Sequence, residues 1–138
     1  MSKKVVIAGS VTLQDKVQYW INYWEKKSCD VIDYPMEIQG TSFLKEYPQV
    51  YKTFFDNITK TDILFVMNED KNGIKGYLGA ESFAEMAFAV VQNQLFAKDI
   101  EIILLKMPVK EVPSYDEIIL WLQLGWIKIF SDDLKAFL

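Results

Sequence analysis

Short apolar runs alternate with segments of helical periodicity along this chain, and nothing between them reads as a hairpin. Residues 5–8, 30–33, 63–67, 100–105 and 127–130 have the length and the Val, Ile and Leu content of strands. Residues 100–105 are almost uninterrupted in Ile and Leu, as a strand covered on both faces requires. Between the runs, Leu13, Val17, Trp20, Ile21 and Trp24 recur every three or four residues. A second stripe joins Phe43, Tyr47, Val50, Tyr51, Phe54 and Ile58, with Pro48 predicting a break or restart near its beginning. Residues 83–95 form a third helix, with Met86, Ala87, Val90, Val91 and Gln94 along one side. Residues 116–124 form a shorter fourth helix, residues 132–138 a last helical turn or two, and residues 36–41 a loop. Strands that follow helices without hairpins pair in parallel, and right-handed crossovers put helices on both faces. The expected architecture is α/β: a flavodoxin-like, doubly wound, five-stranded parallel sheet.

A length of 138 residues suits one domain, residues 1–138, with a full core but no second one. A net charge of -4, with no basic cluster beyond Lys3-Lys4 and Lys26-Lys27, argues against a nucleic-acid surface. The amino-terminal apolar run is too short for a signal peptide or a membrane span, so no membrane partner and a cytoplasmic location are expected. Cys29 is the only cysteine, which excludes an intramolecular disulfide. The chain contains no histidine. That removes Ser-His-Asp and Cys-His catalysis and, with one cysteine, argues against a metal site. No Walker loop or dinucleotide fingerprint is present, so kinases and dehydrogenases are disfavoured and no cofactor is expected. Chemistry must use carboxylates, hydroxyls, lysines or amides.

The segment between the third strand and the third helix, residues 68–82, is about fifteen residues where such connections usually take about two to six. Long loops at the carboxyl edge of a parallel sheet tend to hold ligands. Asn72-Gly73 is a turn signal, Gly76 and Gly79 follow, and Tyr77 could stack on a base or sugar. Gly9-Ser10, after the first strand, could set backbone N–H groups against an anion, or simply make a tight turn. Spacing gives Glu85 two readings. It is a carboxylate facing the crevice from a helix start, or the fourth residue of a capping box begun by Ser82. Asp33, at the end of the second strand, and Asp56, on the second helix, are further carboxylates that could reach the crevice but read first as solvated charges, and Trp20 and Trp24 read as core. Trp121 and Trp126 suit either the core or a subunit interface.

Ala-Gly-Ser at residues 8–10, residues 62–68 (DILFVMN) and residues 79–89 (GAESFAEMAFA) together resemble the nucleoside 2-deoxyribosyltransferase superfamily. That superfamily includes deoxynucleoside-monophosphate N-glycosidases. The resemblance is greatest to a small branch with a D-K-N-G-I-x-x-Y-I-G loop, and the late run YDEII at 115–119 also fits it. The resemblance implies a flavodoxin-like fold and cleavage or transfer at the N-glycosidic bond of a nucleoside or nucleotide. Glu85 would be the nucleophile, forming a covalent glycosyl ester, and Asp70 the acid/base assistant. Gly9, Ser10, Asn68, Asn72, Gly73, Tyr77 and Gly79 would line the substrate pocket, in a homodimer or higher homo-oligomer. Position 79 is glycine where the characterised enzymes have an aspartate, and Val6 or Ile7 replaces a tyrosine near the end of the first strand. These departures leave open the alternative of a non-catalytic nucleotide or nucleotide-sugar sensor on the same fold.

Overall fold

The computed structural model describes residues 2–40 and 42–132. Its strands are β1 (Lys4–Ala8), β2 (Asp30–Asp33), β3 (Ile63–Val66), β4 (Glu101–Leu104) and β5 (Lys128–Ile129). Its helices are α1 (Gln14–Lys26), α2 (Phe43–Lys60), α3 (Ala80–Phe96) and α4 (Tyr115–Gln123). All strand pairs are parallel, in the order β2-β1-β3-β4-β5, the flavodoxin-like arrangement. The expected fold is the observed one. The final turn expected at residues 132–138 lies outside the described residues beyond Asp132, as does Thr41. No helix among the described residues is long and apolar enough to cross a membrane.

The sheet has two cores because side chains alternate along each strand. Val5 and Ile7 of β1 join Ile63, Phe65 and Ile103 under α1, which presents Val17, Trp20, Ile21 and Trp24. Val6 and Ala8 join Leu64, Val66, Ile102 and Leu104 on the opposite face, under α2, α3 and α4. Trp20 and Trp24 are therefore core, packed edge-on or tilted against Phe65 and Phe130. Trp121 stacks on Phe83 with ring centroids 5.3 Å apart and ties α4 to α3, whereas Trp126 is exposed.

Two helix boundaries differ from the sequence expectation. Pro48 neither breaks nor restarts α2, which runs through it. The carbonyl that the missing N–H leaves unpaired belongs to Leu44, one turn earlier on a strongly exposed residue, where water can satisfy it. The third helix begins at Ala80, three residues before the expected start, with Gly79 as its N-cap and no side-chain cap. Ser82 and Glu85 consequently lie inside the helix, and the capping box does not form.

Candidate functional site

The loops after β1, β2 and β3 leave the sheet at one edge. β1 and β3 are neighbours, yet the chain leaves β1 for α1 on one face and β3 for α3 on the other. Such a switch point opens a crevice between the departing loops. Here the crevice is a cavity of about 470 Å³, within the size range of small-molecule sites. Its walls are the β1 loop from Gly9 to Leu13, the end of β2 with Tyr34 and Pro35, the amino-terminal half of α2 and the start of α3. Tyr47, Tyr51 and Phe54 of α2 and Tyr77 of the β3 loop place aromatic rings in its lining.

Glu85 stands in the second turn of α3, lines the cavity and is only 6% exposed. It has no hydrogen-bond or ion-pair partner among the described residues. Burial, and after it the neighbouring Glu81 and Asp33, push its carboxyl up to about 8. The upward shift favours the protonated form of Glu85 near neutral pH. Of the two sequence readings of Asp33, the crevice carboxylate is the observed one and the solvated charge is not. Asp33 is buried, lines the same cavity, and accepts hydrogen bonds from Tyr34 N at 2.8 Å and Asn57 Nδ2 at 2.9 Å. Asp56 is exposed as expected, paired with Lys60 one turn on.

The long loop is held by two side chains near its start, Asn68 and Asp70. Asn68 is buried, donating Nδ2 to Lys106 O at 2.7 Å and Gly76 O at 3.2 Å while its Oδ1 accepts from Lys106 N at 3.1 Å. It touches the cavity, but its amide is committed to joining the β3 and β4 ends. Asp70 is committed likewise. Its Oδ1 accepts from Gly76 N at 2.9 Å and lies 3.3 Å from Lys106 Nζ, and the Gly76 N–H, then Lys106, holds its carboxyl below the usual range. Asp70 does not line the cavity, so this geometry gives an acid/base role no support. Asn72 and Gly73, both at positive φ, make the tip of a small turn closed by Lys71 and Ile74, and neither lines the cavity.

Gly9, Ser10, Asn68, Tyr77, Gly79 and Glu85 are thus brought to one cavity, and Asp70, Asn72 and Gly73 are not. Gly9 is there for close packing: a Cβ would lie 2.5 Å from Met67 Cγ. Ser10 Oγ accepts from Lys71 Nζ at 2.8 Å and shares a hydrogen bond with Thr12 Oγ1 at 2.9 Å. Lys71 Nζ also lies 5.5 Å from the centre of the Tyr77 ring. Sequence reasoning missed Glu81, Lys71 and the α2 wall as site residues. Glu81 and Glu85 are spaced i, i+4, which puts both on one helix face once the helix is known to begin at Ala80. No protein-family model and no curated protein matches this chain.

Proposed function

We propose that this protein cleaves or transfers at the N-glycosidic bond of a nucleoside or nucleotide, with Glu85 as nucleophile. The observation that carries the reading is Glu85 itself: a buried carboxyl, unpartnered among the described residues, in an aromatic cavity at the switch point of the sheet. Burying such a group without a partner is costly, and sites that do so commonly use it. The resemblance of residues 62–68 and 79–89 to the nucleoside 2-deoxyribosyltransferase superfamily supports the same assignment. The tyrosines supply faces for a base, and a cationic anomeric carbon would favour the ionised form of Glu85 as the bond breaks. Glu85 gives its proton to solvent, and its oxygen bonds to C1′ as the C1′–N bond breaks. The base leaves with the electron pair and takes a proton from water. Water or a second base then takes the sugar from the ester and gives up a proton.

A second reading is a nucleotide or nucleotide-sugar sensor. Two observations favour it: burial pushes the Glu85 carboxyl up towards its neutral form, and Asp70 is occupied in holding its loop. Incubating the protein and its Glu85→Ala form with a panel of nucleosides and nucleotides, and following free base by chromatography, separates the two. Release by the wild type, reduced by about 10²-fold or more in Glu85→Ala, is the expected result. Binding without release by the wild type identifies a sensor. We also propose a homodimer, as the resemblance implies. Light scattering at micromolar concentration is expected to give twice the mass of one chain.

A further inference from the structure

Four carboxyl groups line the cavity, Asp33, Glu69, Glu81 and Glu85, against one ammonium, that of Lys71. Of these, only Glu69 has a cationic neighbour, Lys106 at 3.7 Å, and it also accepts from Trp20 Nε1 at 2.9 Å. Asp33 is bonded by the uncharged donors of Asn57 and the Tyr34 backbone. Among the described residues neither Glu81 nor Glu85 forms an ion pair, and Lys71 is turned to Ser10 Oγ and the Tyr77 ring. Glu81 and Asp33 are each close enough to Glu85 to act on it electrostatically, and the α2 tyrosines Tyr47 and Tyr51 face the same space. Mutually repelling carboxyl groups beside aromatic faces are what a cation requires. Glu85, buried and without a hydrogen-bond or ion-pair partner among the described residues, lines that same space.

We infer that the cavity selects a cationic ligand, and that the substrate is an N-glycoside whose base is a positively charged nitrogen heterocycle, such as a pyridinium. The cation preference stands on the geometry of the cavity; the identification as an N-glycoside rests on the function proposed above. The leaving group fits the same charge pattern. A neutral base needs a proton as its bond to the sugar breaks, and Asp70 is held by Gly76 N and Lys106 outside the cavity. A pyridinium needs none. Binding of the cation favours ionisation of Glu85, whose proton goes to solvent. The carboxylate oxygen then bonds to C1′ as the C1′–N bond breaks and its electron pair returns to nitrogen. The products are a neutral pyridine and a neutral glycosyl ester. Water supplies hydroxyl to C1′ and a proton to the carboxylate, which regenerates the acid.

The test compares 3-carbamoylpyridinium riboside with its uncharged 1,4-dihydro form and with uncharged purine and pyrimidine nucleosides at pH 7.5. Calorimetry in two buffers of different ionisation enthalpy measures affinity and proton release, and chromatography measures free base. The cation is expected to bind about tenfold more tightly than its dihydro form, with a proton released. It is also expected to lose its base faster than the uncharged nucleosides. Glu81→Gln, an exposed position, is expected to reduce the binding preference by roughly threefold. Asp33→Asn should do the same, with its melting curve confirming that it is folded. Equal or weaker binding of the cation overturns the cation preference, whether or not base is released. Faster cleavage of uncharged nucleosides overturns the substrate assignment and leaves the N-glycosidase reading standing. Tight, selective binding of the cation without release of base upholds the preference and removes that reading.

Discussion

Glu85 ties the stability of this protein to pH. Its folded carboxyl titrates near 8, against 4.5 for an ordinary glutamate, so between those values the unfolded chain loses a proton that the folded chain keeps. Stability is therefore unaffected below about pH 4.5, falls as pH rises towards 8 and levels off above that. The cost at high pH is on the order of a few kcal/mol. Glu85→Gln removes the titration and keeps the shape. Urea unfolding of the two proteins should agree near pH 4.5 and separate towards pH 9, with the variant the more stable. Parallel curves across that range would show that Glu85 is not held neutral. This residue was legible in the sequence only in part. Spacing offered a cap, the resemblance offered a nucleophile, and the true helix start at Ala80 was hidden because Gly79 caps with backbone alone. The sequence left Asp33 between a crevice carboxylate and a solvated charge, because its partner Asn57 stands on another element 24 positions away.

At the scale of elements, the strands were readable because both faces of the sheet are covered, so each strand is a plain apolar run. Helix existence followed from periodicity, but not what the exposed half of α2 faces. Its stripe of Phe43, Tyr47 and Tyr51 is a ladder of neighbouring rings, and Tyr47 and Tyr51 serve as cavity wall. The long loop was recognisable by length, and its rigidity by nothing in the sequence. Gly76 carries that rigidity: at φ +66°, a Cβ there would stand 2.8 Å from Met107 O and 2.8 Å from Pro108 Cα. Both are backbone atoms that cannot swing away. Gly76→Ala should cost about 2–4 kcal/mol, read as a lower urea midpoint with an unchanged slope. Gly73→Ala, at φ +74° with nothing within 4 Å, should cost only about 1–2 kcal/mol. Equal costs would mean that the Gly76 contact does not anchor the loop.

Across the whole molecule, the fold explains why a site exists where it does. Parallel order β2-β1-β3-β4-β5 sends the β1 and β3 connections to opposite faces and opens the crevice between them. α2 and α3 then roof it with tyrosines and carboxyl groups. The central claim is that Glu85 becomes covalently attached to the sugar. Intact-protein mass spectrometry on an acid-quenched reaction, using whichever N-glycoside the wild type cleaves, tests it most directly. A mass increase of one glycosyl unit is expected, mapping to the peptide that contains Glu85 and absent from Glu85→Gln. Undiminished base release by Glu85→Gln, or a sugar mapped to another residue, would contradict it.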